Sequence, residues 1–151
     1  MGLAAGDRAP LVALNDQNGE GRRSDQLAGK ALVLFFYPKD DTPGCTAEAC
    51  AFRDSYADLQ SLGAEVWGVS GDDQASHQRF ASRHDLPFPL LVDQGNALRK
   101  AFGVPNVLGV LPGRVTYVID REGVIRHVFN NLLDGAAHRN EARAALQRLA
   151  L

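Results

Sequence analysis

The segment Ala31-Leu-Val-Leu-Phe-Phe-Tyr37 is apolar at every position and stops at Pro38. A strand with no polar face is one covered on both sides, so this run predicts the centre of a buried sheet. From Cys45 to Leu62 the period changes. Ala49, Phe52, Tyr56, Leu59 and Leu62 recur every three or four residues, as one face of a helix does. Thr42 suits an N-cap, Pro43 a first helical position and Gly63 a stop. Ala64–Ser70 predicts a second strand, Gln74–His84 a helix with Phe80 turned inward, Pro87–Val92 a short strand and Ala97–Phe102 a short helix. Arg114–Ile119 and Val124–Phe129 flank the turn residues Asp120-Arg-Glu-Gly123 and predict a hairpin. Leu11–Leu14 followed by Asn15-Asp-Gln-Asn-Gly19 predicts another hairpin near the start, and Ala136–Leu149 an amphipathic helix at the end. Strands alternating with helices, with a hairpin late in the chain, predict an α/β sandwich with a mixed sheet.

The length, 151 residues, fits one domain spanning 1–151, with no repeat or linker to divide it. Sixteen basic and 18 acidic residues leave a formal charge of −2, which argues against a nucleic-acid or membrane-surface partner held by charge. The longest apolar run, Ala31–Tyr37, falls far short of the ~20 residues a membrane helix needs. The first ten residues include Asp7 and Arg8 and lack an apolar signal core, so no secretion signal is expected. A chain of this size can bury a core without covalent staples. Its two cysteines, Cys45 and Cys50, are therefore better read as reactive thiols in a reducing, cytoplasmic compartment.

Cys45 falls where a buried strand gives way to a helix. Helix amino ends carry free N–H groups and partial positive charge, and both favour a thiolate. A nearby cation would add to this. Lys39 is close, but Asp40 and Asp41 oppose it, so a distant arginine would have to be brought in by the fold. Thr42, three residues before Cys45, can cap the helix and meet a group bound at the sulfur. Pro38 can shield the site. Glu48, one turn after Cys45, can hold a guanidinium in a fixed orientation, although alone it reads as a solvated carboxylate. Arg114 alone reads as an arginine opening a strand. Cys50 lies five residues after Cys45, which on an ideal helix separates the two Cα atoms by roughly 8.7 Å. A disulfide needs about 7 Å or less. Either the helix begins later than Pro43, or the pair alternates between a helical dithiol and an unwound disulfide. The four histidines, His77, His84, His127 and His138, show no zinc-site spacing, and His77 and His84 read as exposed helix residues. Gly68-Val-Ser-Gly71 matches neither phosphate-loop spacing.

Pro38, Thr42 and Cys45 together spell P-x-x-x-T-x-x-C, which resembles the active-site signature of the peroxiredoxins. The longer stretch Phe35-Phe-Tyr-Pro-Lys-Asp-Asp-Thr-Pro-Gly-Cys-Thr-Ala-Glu-Ala-Cys50 resembles the subgroup called bacterioferritin comigratory protein, or peroxiredoxin Q. The likeness extends to Gly6–Pro10, Val66–Ser70 and Gly113–Asp120. It implies a thioredoxin-like fold, a mixed central sheet flanked by helices with an N-terminal hairpin. It implies a thiol peroxidase acting on hydrogen peroxide and organic hydroperoxides. Cys45 would be the peroxidatic cysteine, Thr42 a substrate hydrogen-bonding group, Pro38 a shield, Arg114 the activating cation, Glu48 its orienting partner and Cys50 the resolving cysteine of an intramolecular disulfide. The implied partners are a small peroxide and thioredoxin or a similar dithiol, with no metal, flavin or haem, and a monomer suffices. Residues 104–112 are unusually apolar and match no pattern of the subgroup; they are expected at the substrate mouth or a contact surface. Two other readings use the same cysteine pair: a thiol–disulfide oxidoreductase, which ordinarily carries the C-x-x-C absent here, and a redox sensor.

Overall fold

A computed structural model describes residues 2–27, 29–107 and 111–149. Strands β1 (Ala13–Asn15) and β2 (Gly21–Arg23) form the expected antiparallel hairpin. Then follow β3 (Ala31–Phe36), helix α1 (Pro43–Ser61), β4 (Ala64–Ser70), α2 (Gln74–Arg83), β5 (Leu90–Val92) and α3 (Ala97–Phe102). Two-residue strands β6 (Asn106–Val107) and β7 (Leu111–Pro112) pair with each other, a feature the sequence pattern did not predict. The chain closes with β8 (Val115–Ile119), β9 (Ile125–Asn130) and α4 (Gly135–Leu149).

The main sheet has five strands in the order β5-β4-β3-β8-β9. β3 runs parallel to β4 and β4 to β5, whereas β8 is antiparallel to β3 and to β9. This is the mixed, thioredoxin-like sheet that the sequence pattern and the resemblance imply. β3 lies at its centre, and all six of its residues are buried. Alternation splits them between two cores. Ala31, Val33 and Phe35 join Phe52, Phe80, Ala142 and Leu146 from α1, α2 and α4. Leu32, Leu34 and Phe36 join Trp67, Leu98, Phe102 and Val12 on the opposite face.

Two expectations change. The strand predicted over Pro87–Val92 shortens to Leu90–Val92, because Pro87 and Pro89 have no N–H to give a ladder. His77, expected to be exposed, is fully buried. Residues 108–110, within the apolar segment 104–112, lie outside the described residues, so the expected role of that segment goes with them. No helix among the described residues is long and apolar enough to cross a membrane.

Candidate active site

β3 delivers the chain to the C-terminal end of the central strand at Tyr37, and a short loop turns it into α1. Pro38 is half-buried on this loop. Asp41 adopts a left-handed conformation at φ 59°, which a short polar side chain tolerates better than most. Pro43 opens α1, so Cys45 sits in its first turn. The carbonyl of Thr42 accepts from the Thr46 N–H at 2.8 Å. Among the described residues, the N–H groups of Gly44 and Cys45 donate to no protein acceptor. Two free donors therefore point out of the helix beside the sulfur.

Thr42 occupies the N-cap position, but its hydroxyl does not cap the helix. It donates instead to the Lys39 carbonyl at 2.9 Å. Its proton is committed within the loop, and its lone pairs remain available to accept a hydrogen bond.

The distant arginine is Arg114, immediately before β8. Its Nη2 donates to Cys45 Sγ at 3.4 Å, Nη1 donates to Glu48 Oε1 at 2.6 Å and Nε donates to the Leu132 carbonyl at 2.9 Å. Cys45, Glu48 and Arg114 are all buried. Two glycines make this approach possible. A Cβ on Gly44 would lie 2.9 Å from Arg114 Nη2, and one on Gly135 would lie 2.8 Å from both the Glu48 backbone nitrogen and the Gly44 carbonyl oxygen. The first turn of α4 can thus press against the first turn of α1. Burial opposes the charge on Arg114, but Glu48 and Cys45 outweigh it and raise the guanidinium above its ordinary value. Burial dominates at Glu48, where the carboxyl is pushed up to about 8 despite Arg114. Its second oxygen, Oε2, has no hydrogen-bond partner and lies 3.5 Å from His138 Nδ1. His138 bonds Thr116 Oγ1 through Nδ1 at 2.8 Å and the Asn131 carbonyl through Nε2 at 2.7 Å. The carbonyl can only accept, which places the proton on Nε2. Burial lowers His138 to about 4; the Asn131 carbonyl opposes the shift and Arg114 adds to it.

Cys50 is half-buried in the same uninterrupted helix as Cys45, and both thiols are free. Of the two alternatives left by the sequence, a later helix start is removed: α1 spans both cysteines. Helical spacing of roughly 8.7 Å then keeps the pair apart until the helix opens.

Behind the loop lies a second polar cluster. Asp40 accepts from Tyr37 Oη at 2.6 Å and from Ser76 Oγ at 2.9 Å, and His77 Nδ1 lies 2.7 Å from its Oδ2. His77 Nε2 lies 2.8 Å from the Leu91 carbonyl. Both ring nitrogens face acceptors, so the ring is satisfied as the imidazolium. Burial works against that charge, but the hydrogen bond and charge of Asp40 win, and His77 is raised. Asp40, Asp72 and His77 bring ligand-type atoms within 4.8 Å of one another. Their oxygens already serve Tyr37, Ser70, Ser76 and the Asp40 N–H, which makes this a hydrogen-bonded anchor for the loop.

The structure therefore brings Cys45, Glu48 and Arg114 into contact and sets Thr42 and Pro38 on the adjoining loop. Cys50 stands apart, on the same helix. Sequence reading missed His138, Gly135 and the Leu132 carbonyl. It also missed His77, although His77 and Phe80 are three apart and must share a helix face.

Residues 5–128 match the model of the AhpC/TSA family. The chloroplastic peroxiredoxin Q of Triticum aestivum is 49% identical over 148 residues, covering 97% of this chain and 68% of that protein. The Arabidopsis thaliana peroxiredoxin Q, also chloroplastic, is 52% identical over 137 residues, 90% of this chain and 63% of that protein. Peroxidoxin BcpB of Mycobacterium tuberculosis superposes with a TM-score of 0.90 at 35% identity, over 97% of this chain and 98% of that one. The bacterioferritin comigratory protein of Xanthomonas campestris does so with a TM-score of 0.86 at 32% identity, over 96% of this chain and all of that one, 100%. A family match over most of the chain, relatives near half identity and superposable structures agree: the chain belongs to the AhpC/TSA family as a peroxiredoxin of the Q type, a thiol peroxidase.

Proposed function

We propose that the chain, acting over 1–151 as one domain, reduces hydrogen peroxide and organic hydroperoxides with Cys45 as nucleophile, Cys50 as resolving thiol and thioredoxin as reductant. The observation that carries this reading is the Arg114 guanidinium, donating at once to Cys45 Sγ and Glu48 Oε1. It favours an anionic sulfur and fixes a donor where negative charge must develop. The Cys45 thiolate attacks the terminal oxygen of R–O–O–H. An S–O bond forms, the O–O bond breaks and the alkoxide RO⁻ departs, taking a proton to become ROH. Arg114 and the free N–H groups of Gly44 and Cys45 face the departing charge; one such donor is typically worth about a hundredfold in rate. Thr42 Oγ1, its own proton bound to Lys39, accepts the peroxide O–H and aims the terminal oxygen at the sulfur. Pro38 covers the sulfenic acid left on Cys45.

The Cys50 thiolate then attacks Cys45–SOH, forming the disulfide and releasing hydroxide. This requires α1 to open between the two residues. An external dithiol, thioredoxin by class, reduces the disulfide by exchange and leaves as a disulfide itself. Resolution within one chain needs no second subunit, which supports a monomer; two free thiols in a chain that buries its core without a disulfide suit a reducing, cytoplasmic compartment. The solved X. campestris relative is described for alkyl peroxide reduction, which supports the organic hydroperoxides.

Stopped-flow oxidation followed through Trp67 fluorescence tests the assignment, with mass spectrometry after one equivalent of peroxide. The wild-type protein is expected to lose two hydrogens in a Cys45–Cys50 link. Cys45→Ser should abolish the fast phase, and Cys50→Ser should keep it while leaving a sulfenic acid. A fast phase surviving in Cys45→Ser would overturn the assignment of the nucleophile. Disulfides only between chains would overturn intramolecular resolution.

A further inference from the structure

Arg99, on α3, is a buried cation that lacks the carboxylate partner which the other buried arginine, Arg114, has in Glu48. It is 4% exposed, and among the described residues no carboxylate lies within ion-pair distance of its guanidinium. Two of its five N–H donors go to backbone carbonyls: Nη1 to Gly113 at 2.6 Å and Nη2 to Tyr37 at 2.8 Å. Its Cζ also lies 5.8 Å from the centre of the Phe36 ring. Burying an arginine against carbonyls alone is costly, since carbonyls carry no full charge to offset the lost hydration. Burial accordingly lowers Arg99 below its ordinary value, and the negative charges of Asp93 and then Cys45 oppose that shift.

The two carbonyls are not arbitrary. Tyr37 immediately precedes Pro38, and Gly113 immediately precedes Arg114. The antiparallel ladder between β3 and β8 ends at the pair Phe36 and Val115. Beyond it the strands carry the loop leading to Cys45 on one side and the Cys45-binding arginine on the other. Among the described residues no further rung holds those ends together. The guanidinium spans them instead, with two donors in one rigid plane, a geometry that a lysine ammonium does not supply. Asp93 fixes the base of this clamp, accepting from the Leu98 N–H at 2.8 Å and the Arg99 N–H at 2.9 Å.

We propose that Arg99 is a positioning residue of the peroxidase site: it replaces the missing rungs beyond Phe36 and Val115, holds the Pro38–Cys45 loop in register with Arg114, and brings a positive charge without an ion-paired carboxylate to the base of that loop. This rests on the reading of Cys45 as the nucleophile. It separates two functions within one side chain, geometry and charge, and two substitutions divide them. Arg99→Lys keeps the charge and loses the fork. Arg99→Met loses both.

The test compares three readouts in wild type, Arg99→Lys and Arg99→Met. They are the peroxide oxidation rate, the pH profile of Cys45 alkylation by iodoacetamide in a Cys50→Ser background, and near-ultraviolet circular dichroism with thermal melting. Arg99→Lys is expected to keep the alkylation profile but to oxidise about tenfold more slowly, because the loop and Arg114 lose their common brace. Arg99→Met is expected to alkylate about tenfold more slowly at pH 7 and to oxidise about a hundredfold more slowly. If Arg99→Met fails to fold, Arg99→Lys alone decides the positioning claim. A folded Arg99→Lys with a lowered melting temperature and wild-type oxidation makes Arg99 a structural residue only, and overturns the proposal. An Arg99→Met profile matching wild type overturns the charge component. Wild-type protein that peroxide does not oxidise at Cys45 refutes the reading of the nucleophile itself, and the alkylation profiles then still decide whether Arg99 acts on the sulfur.

Discussion

Glu48 carries two conflicting requirements. Its Oε1 holds the Arg114 guanidinium at 2.6 Å, yet a full negative charge there would compete with Cys45 for the same cation. Burial eases the conflict by raising the carboxyl to about 8, which weakens its claim on the charge of Arg114 and leaves more of it for the sulfur and the departing oxygen. As pH rises through that value the carboxylate forms, and Arg114 is partly neutralised. Oxidation of wild-type protein should therefore slow along an alkaline limb centred about there. Glu48→Gln keeps an oxygen acceptor for Nη1 and cannot ionise. It should react with peroxide at close to the wild-type rate at pH 7 and lack the alkaline limb. A limb of equal depth and midpoint in both proteins, measured by stopped flow, would assign the effect to another group.

At the scale of elements, the proposed cycle asks two things of α1: an intact first turn for peroxide attack and an open one for disulfide formation. Ala47 lies between the cysteines and is exposed, so its replacement disturbs no packing. Glycine in a helix interior costs about 1 kcal/mol relative to alanine, equivalent to roughly fivefold in the opening equilibrium. Ala47→Gly should speed the second phase, sulfenic acid to disulfide, by up to about fivefold while leaving the first phase unchanged. An unaltered second phase would mean that helix opening does not limit resolution. The same helix marks the boundary of what was legible in the sequence. Its extent, like that of β3, β4 and α3, followed from apolar period and from Thr42, Pro43 and Gly63, because those signals are local. Cys45, Thr42 and Glu48 drew attention by their place at the start of the helix, but Arg114 was singled out only through the family resemblance, since nothing local says that residue 114 meets residue 45. Thr42 showed that position and bonding are separate questions: the cap site was right, but the hydroxyl turned to Lys39. Arg99 and His138 were not legible, because their partners lie on other elements and each alone is an ordinary helix residue. His77 was legible and misread, since a helix that buries Phe80 also buries the residue one turn before it.

For the molecule as a whole, the two fully buried histidines set opposing pH dependences. His77 is raised, so the stability it adds through Asp40 is complete below its unfolded value and is lost as pH rises through its folded one. His138 is lowered to about 4, so its contribution is complete above its unfolded value, near 6.5, and is lost as pH falls toward the folded one. In that acid window the unfolded chain binds a proton that the native protein refuses. At about 1.4 kcal/mol per pH unit, His138 alone removes at most about 3 kcal/mol between pH 6.5 and 4. The site of the loss is specific, because His138 joins α4 to Thr116 on β8, to the Asn131 carbonyl after β9 and, at 4.8 Å between ring centres, to Phe129. His138→Gln sacrifices some of those contacts at every pH but cannot titrate. Subtracting its unfolding free energy from that of the wild type cancels His77, which both proteins share. The difference, read from urea unfolding at pH 7 and pH 4, should shrink by up to about 3 kcal/mol on acidification. A difference that stays constant across that interval would show that His138 takes up its proton as readily in the native protein as in the unfolded chain, and the acid sensitivity would then have to arise elsewhere.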